Sequence, residues 1–77
     1  MRLLLVEDTA ELACWLQKAL TQAGFAVDWM ADGVAADHLL QTEHYELVLL
    51  DISLPRLNGL ELLGRLHKRG QTMPVLL

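Results

Sequence analysis

Three acidic residues stand where apolar runs of the sequence end. Glu7 and Asp8 follow directly on the apolar residues 3–6. Asp51 follows in the same way on residues 47–50. Such runs are typical of strands that are buried on both faces of a parallel sheet. If the two strands are neighbours, the carboxylates meet at one edge, where like charges repel and either take up protons or bind a cation. Oxygen ligands favour Mg²⁺, which also binds phosphate oxygens, so the pattern predicts a phosphoryl-transfer site.

The loop after Asp51 has a composition that restricts its backbone. It contains Ser53, Pro55 and Gly59 within residues 52–59. Proline limits the backbone angle φ, and glycine permits conformations that other residues avoid. We expect this path to turn the backbone carbonyl of Ser53 toward a metal ion. An aspartate alone often merely caps a helix or ends a strand, but the combination with this loop favours a site.

The hydrophobic period alternates along the chain, and the elements that it predicts would position the carboxylates. Apolar runs predict strands at residues 3–6, 25–30, 47–50 and 74–77. Helical periodicity predicts helices over residues 12–23, 34–41 and 60–68. Asn58 with Glu61 forms a capping-box pattern before the third helix. The order β-α-β-α-β-α-β predicts an α/β fold with a doubly wound, mostly parallel sheet that binds ligands at the carboxyl ends of its strands.

The apolar periodicity also predicts which side chains pack. The first helix is expected to pack through Leu12, Trp15, Leu16, Ala19, Leu20 and Ala23. Trp15 and Trp29 are both interpreted as core or near-core anchors. The basic residues near the end of the third helix are interpreted as a charge cluster that suits the helix dipole, not as a nucleic-acid patch; they are Arg65, Lys68 and Arg69. The three histidines, which lie in unlike elements, are interpreted as surface residues; they are His38, His44 and His67.

The composition limits the function classes. The chain has 77 residues, of which 53% are hydrophobic, so it forms one small globular domain rather than a disordered segment. Its net charge of −4 argues against binding of nucleic-acid phosphates through a basic face. No apolar run approaches the roughly 18 residues of a membrane span, so no membrane partner is predicted. Cys14 is the only cysteine, and a lone thiol without an export signal favours a cytoplasmic location.

The sequence resembles the receiver domain of bacterial two-component response regulators. The resemblance rests on the segments Leu4-Leu5-Val6-Glu7-Asp8, Gly24-Phe25-Ala26-Val27, Asp32-Gly33, D-x-x-L-P-x-x-N-G at residues 51–59, and Pro74-Val75-Leu76-Leu77. It extends over the whole chain. Residues 2–8 are similar to receivers that precede a winged-helix DNA-binding domain in OmpR-like transcription factors, and among these to regulators of tricarboxylate transport. The resemblance implies a flavodoxin-like (βα)5 fold with strand order 2-1-3-4-5.

The resemblance also implies roles for the acidic residues. Asp51 would be the phosphoacceptor, which takes a phosphoryl group from a phosphohistidine on a sensor histidine kinase. Asp8 and Asp51 would bind Mg²⁺ directly, Glu7 through a water molecule, and Ser53 through its backbone carbonyl. Such a domain is not a dedicated enzyme, although it assists its own phosphorylation and dephosphorylation. Its phosphorylation would switch a cytoplasmic transcription regulator.

The chain departs from this family in length. A complete receiver has about 120 residues, and this sequence stops inside the fourth strand. The Thr or Ser that the family places after that strand, and the Lys after the fifth, therefore lie outside residues 1–77. We expect residues 75–77 to form a bare apolar edge, and the fragment to form a homodimer, with or without strand or domain exchange. Any DNA contact would come through a missing C-terminal domain.

Two other functions stay open from the sequence. One is a pseudo-receiver, an interaction module that never takes up phosphate. The presence of Glu7, Asp8 and Asp51 disfavours this alternative. It stays open because the family's Thr or Ser and its Lys are missing from residues 1–77. The other is a small phosphatase with Asp51 as its nucleophile. Such enzymes usually carry a second acid two residues after the nucleophile, and Ser53 occupies that position here, which disfavours this alternative.

Overall fold

The computed structural model describes all 77 residues as a four-stranded parallel sheet with three helices. The elements are β1 (Arg2–Val6), α1 (Ala10–Gln22), β2 (Ala26–Met30), α2 (Gly33–Thr42), β3 (Leu47–Leu50), α3 (Gly59–Lys68) and β4 (Val75–Leu76). The strand order is β2-β1-β3-β4, and all three neighbouring pairs are parallel. These observations confirm the predicted fold class and all seven predicted elements. None of the three helices combines the length and the apolarity that crossing a membrane requires.

The central strand β1 is buried on both faces. Its side chains alternate, because successive residues of a strand point to opposite sides of the sheet. Leu4 and Val6 belong to the larger core, which contains residues of α2 and α3. Leu3 and Leu5 belong to a smaller core with Ala13 of α1. Helices therefore cover both faces of the sheet, and burial of each such leucine contributes about 1.5–3 kcal/mol.

Side-chain caps fix the starts of the second and third helices. Asp32 Oδ1 accepts a hydrogen bond from the backbone N–H of Ala35 at 2.8 Å. Asn58 Oδ1 accepts from the backbone N–H of Glu61 at 2.9 Å. The predicted capping pattern at Asn58 is confirmed, but Glu61 returns the contact differently, since its Oε1 accepts from the Asn58 side-chain amide at 2.9 Å. Each cap satisfies an N–H group that a helix start leaves free.

The predicted packing face of α1 is confirmed at Leu16 and Leu20. It is wrong at the other four positions, which are exposed: Leu12, Trp15, Ala19 and Ala23. Trp15 is 67% exposed and Leu12 is 44% exposed, whereas Ala13 is fully buried. The helix packs through Ala13, with Leu16 and Leu20 partly buried on the same side. Gln17 lies beside this face because its side-chain amide donates a hydrogen bond to the carbonyl of Val27 at 3.2 Å. The apolar periodicity gave a partly wrong face because Ala13 and the side-chain amide of Gln17 make contacts that were expected of larger apolar residues.

A buried carboxylate joins α2 to α3. Asp37 of α2 is 3% exposed. Its Oδ1 accepts a hydrogen bond from Arg69 Nη1 at 2.7 Å, and its Oδ2 accepts from Arg65 Nη1 at 3.0 Å. Two residues of the predicted basic cluster at the end of α3, Arg65 and Arg69, thus form ion pairs with a residue of α2. Burial opposes ionisation of Asp37, but the hydrogen bonds from Arg69 and Arg65 outweigh it and hold the pKa of the carboxyl below its ordinary value.

We expect Asp37→Asn to lower the free energy of unfolding by about 2 kcal/mol, because hydrogen bonds to charged groups contribute about 1.5–3 kcal/mol. A carboxyl whose pKa is lowered by folding stabilises the fold above its ordinary pKa of about 3.9 and loses this contribution as the pH falls through the lower value. The free energy of unfolding, measured with urea, should therefore fall more steeply at acidic pH in the wild type than in the variant. Glu11→Gln removes an exposed carboxylate and serves as the control; equal losses in both variants would contradict the assignment.

Candidate carboxylate site for a metal ion

Glu7, Asp8 and Asp51 lie together at the carboxyl ends of β1 and β3. The register pairs Val6 with Leu50, so the residues that follow these two stand side by side. The backbone N–H of Asp51 donates to the carbonyl of Val6 at 3.0 Å and continues the ladder by one residue. One carboxylate oxygen from each acidic residue lies within 4.8 Å of the others. The predicted convergence of these residues is confirmed.

The three carboxylates differ in exposure. Glu7 is 6% exposed, Asp51 is half-buried and Asp8 is exposed. Burial raises the pKa of the Glu7 carboxyl; the hydrogen bond that its Oε2 accepts from the Thr9 N–H opposes this effect, and the carboxylates of Asp8 and Asp51 reinforce it. Negative charge is therefore concentrated where water screens it poorly, and a bound cation would relieve the repulsion.

The donor atoms suit a hard divalent cation. All three side chains offer oxygen, and no histidine or cysteine belongs to the group. Mg²⁺ binds oxygen at about 2.1 Å, so ligands on opposite sides of the ion lie about 4.2 Å apart. One oxygen from each of the three residues lies within 4.8 Å of the other two, so the side chains are close enough to share one ion, directly or through its water ligands. Mg²⁺ usually binds one or two carboxylates directly and keeps several water ligands. The two more accessible carboxylates, of Asp8 and Asp51, leave room for such waters beside the buried Glu7.

The loop after β3 lies close to Asp51. The backbone N–H of Ser53, which belongs to this loop, donates a hydrogen bond to Asp51 Oδ1 at 3.2 Å. A Cβ atom at Gly59 would lie 2.6 Å from the carbonyl oxygen of Asp51, so only glycine fits there. The backbone N–H of Gly59 also donates to the carbonyl of Ile52 at 2.9 Å. Gly59 was predicted for its conformational freedom, but its φ is not positive, and glycine is required there by the close approach of the Asp51 carbonyl. The role of the Ser53 carbonyl toward a metal stays a prediction.

The middle of this loop contains a strained residue that the sequence did not indicate. Arg56 has a φ of +69°, although it is not glycine. It follows Pro55, whose carbonyl accepts a hydrogen bond from the N–H of Leu57 at 2.8 Å. The tight turn around Arg56 buries Leu57, which is 3% exposed, and presents its carbonyl to Gly33. The predicted unusual backbone path thus exists, and its strain lies one residue after Pro55.

Trp29 contacts the site through a hydrogen bond that the sequence did not predict. Its side chain packs against the smaller core, which agrees with its interpretation as a near-core anchor. Its indole Nε1 donates to the backbone carbonyl of Glu7 at 2.7 Å. Sequence spacing gave no signal for this bond, because it depends on the register between β1 and β2 and on the rotamer of Trp29.

Comparison with known proteins gives a family match over nearly the entire chain. Residues 3–77 match the response regulator receiver domain. The chain is 65% identical over 77 residues to the transcriptional regulatory protein TctD of Salmonella typhimurium, a match that covers 100% of this chain and 34% of TctD. It is 46% identical over 76 residues to the transcriptional activator protein IrlR of Burkholderia pseudomallei, covering 99% of this chain and 33% of IrlR. The chain thus spans about a third of the length of the curated relatives it matches.

Solved structures show the same fold. The receiver domain of the Francisella response regulator 1452 superposes with a TM-score of 0.94 at 27% identity, covering 96% of this chain and 61% of that one. The response regulator TrrA of Thermotoga maritima, in complex with Mg²⁺ and BeF, superposes with a TM-score of 0.91 at 30% identity, covering 96% and 64%. TrrA in complex with the histidine kinase ThkA gives a TM-score of 0.89 at the same identity and coverage.

Proposed function

Because the chain belongs to the family of response regulator receiver domains, we propose that its Asp51 accepts a phosphoryl group from a sensor histidine kinase in a Mg²⁺-dependent reaction. The observation that carries this proposal is the convergence of Glu7, Asp8 and Asp51 within 4.8 Å at the carboxyl edge of the sheet. The complexes of TrrA with Mg²⁺ and BeF and with the kinase ThkA support the same ligand and the same class of partner.

The proposed chemistry uses Asp51 as a nucleophile. A carboxylate oxygen of Asp51 forms a bond to phosphorus while the bond between phosphorus and the kinase imidazole nitrogen breaks, and the leaving imidazole takes up a proton. Aspartates are ordinarily ionised near neutral pH, so no general base is needed. The N–H of Ser53 orients the nucleophile through Oδ1. Mg²⁺ supplies the positive charge that lets an anionic carboxylate approach an anionic phosphoryl group.

The neighbouring acidic residues would hold the cation. Asp8 is exposed, so its carboxylate is accessible for direct binding of Mg²⁺. Glu7 already accepts a hydrogen bond from Thr9 N–H at 3.0 Å, which favours an indirect contact through water. The Ser53 carbonyl completes the proposed ligand set. In this arrangement the domain assists its own modification and is not a dedicated enzyme.

The proposal extends to the complete protein. The similarity to TctD and IrlR supports a transcription regulator. Since residues 1–77 carry a net charge of −4, a separate DNA-binding domain would contact DNA. The free thiol of Cys14 supports a cytoplasmic location.

The first test is an intact-mass spectrum of the complete natural protein after incubation with acetyl phosphate, with Mg²⁺ or with EDTA. We expect one phosphoryl group per chain in Mg²⁺ and none in EDTA.

Asp8→Asn should weaken Mg²⁺ binding by about tenfold or more, since even a lost outer-sphere partner costs 10–100-fold. Asp28→Asn, the same change outside the acidic group, should leave binding unchanged. Mg²⁺ binding without any gain in mass would instead support a pseudo-receiver.

A further inference from the structure

The end of β2 holds the backbone of Glu7 at both of its polar groups. The N–H of Glu7 donates to the carbonyl of Met30 at 3.1 Å, as a continuation of the parallel ladder. The carbonyl of Glu7 accepts the indole N–H of Trp29 at 2.7 Å. The second contact replaces a ladder bond that β2 no longer supplies, because β2 ends at Met30. Glu7 thus keeps a strand-like backbone one residue beyond β1.

This contact determines the orientation of the next peptide group. A trans peptide is planar, so its C=O and its N–H point in opposite directions. The carbonyl of Glu7 points toward β2, and the N–H of Asp8 therefore points away from it, to the side on which β3 and Asp51 lie. A change of the backbone angle ψ at Glu7 would turn this carbonyl away from Trp29 and move Asp8 relative to the other two carboxylates. Trp29 opposes that rotation through its bond to the backbone, and its indole N–H donates to none of the three carboxylates.

We propose that Trp29 is a positioning residue that pre-organises Glu7 and Asp8 for divalent cation binding through its indole N–H. The inference rests on the proposed function of the acidic residues as a Mg²⁺ site. No other side chain donates to the Glu7 carbonyl, so loss of the indole N–H leaves that carbonyl without a protein partner.

The contact affects affinity because the acidic residues repel one another when no cation is bound. Repulsion among three carboxylates within 4.8 Å favours backbone rotations that separate them. A cation that binds a relaxed site must restore the compact arrangement, and the cost of doing so reduces its affinity. The hydrogen bond from the indole prevents this relaxation, so cation binding has a smaller free-energy cost of reorganisation.

The test compares two tryptophan variants of the complete natural protein by calorimetric titration with MgCl₂. Trp29→Phe keeps an aromatic ring in the smaller core but removes the N–H. Trp15→Phe is the matched control, since Trp15 is 67% exposed and donates no hydrogen bond. We expect the Kd for Mg²⁺ to rise by about threefold to tenfold in Trp29→Phe, the equivalent of one hydrogen bond, and to stay within error in Trp15→Phe.

A second substitution separates the N–H group from the packing. Site-specific incorporation of 3-benzothienylalanine at position 29 replaces the indole N–H by sulfur at nearly constant volume. It should weaken Mg²⁺ binding as much as Trp29→Phe, while circular dichroism and thermal unfolding remain close to wild type. Wild-type affinity in this substitution would overturn the inference and leave the proposed function intact. Failure of the wild type itself to bind Mg²⁺ would overturn both.

Discussion

Asp51→Asn is expected to abolish phosphorylation by acetyl phosphate or by a kinase, to below the detection limit of an intact-mass spectrum. The amide has the shape of the carboxylate but is neutral and a poor nucleophile, so it can neither attack phosphorus nor contribute its charge to Mg²⁺ binding. Its oxygen can still accept the hydrogen bond that Ser53 N–H donates to Asp51 Oδ1. The loop geometry should therefore survive the change.

The same substitution should not destabilise the fold. Asp51 is half-buried beside Glu7 and Asp8, and in the absence of a cation its charge repels theirs. Removal of one of three like charges should leave the free energy of unfolding unchanged or slightly higher in EDTA. Stabilisation by added Mg²⁺ should shrink in the variant, because a ligand stabilises the folded state by RT ln(1 + [L]/Kd), which falls as Kd rises.

Asp28→Asn controls for the loss of an aspartate as such. Asp28 lies on β2 outside the acidic group, where its Oδ2 accepts the hydroxyl hydrogen of Tyr45 at 2.6 Å. The asparagine oxygen can accept the same bond, and phosphorylation should proceed as in the wild type. A phosphoryl group that persists in Asp51→Asn would place the phosphoacceptor elsewhere.

The positions of the acidic residues could be predicted because two local signals are sufficient. Each apolar run ends abruptly at a charged residue, which marks the end of a strand at Glu7 and at Asp51. Alternation of strands and helices then predicts parallel pairing, and parallel strands end at the same edge. Neither step requires knowledge of which side chains touch. The capped start of α3 was likewise predicted from Asn58 and Glu61, which lie within one turn, whereas the cap that Asp32 forms at the start of α2 was not predicted.

Contacts between remote elements could not be predicted in this way. Asp37 meets Arg65 and Arg69 across 28 and 32 residues, and only the distance between α2 and α3 determines that these side chains meet. Tyr45 is fully buried because its hydroxyl reaches Asp28 while Arg2 lies 4.6 Å above its ring. Burial and the Asp28 carboxylate raise the pKa of Tyr45 to about 12, so it keeps its proton. A single tyrosine in a loop carries no sequence pattern that indicates such a partner.

Gly33 is a further residue whose importance only the structure shows, and Gly33→Ala is expected to lower the free energy of unfolding by about 3 kcal/mol. A Cβ atom there would lie 1.9 Å from the backbone oxygen of Leu57 and 2.8 Å from its carbonyl carbon. Backbone atoms cannot rotate away as the end of a long side chain can. Either α2 or the loop after Asp51 must move, and both are tied to the fold by the caps at Asp32 and Asn58.

Gly64→Ala is the matched control, and its expected effect has the opposite sign. Gly64 lies inside α3, and a Cβ atom there would meet nothing within 4 Å. Alanine is favoured over glycine inside a helix by about 0.8–1.0 kcal/mol, so this variant should be more stable than wild type. Helix propensity alone would predict a gain in both variants, since Gly33 is also helical. Urea unfolding of the two proteins therefore distinguishes the effect of helix propensity from that of packing. If Gly33→Ala were more stable than wild type, α2 would be able to move away from Leu57, and that contact would not hold the loop after Asp51 in place.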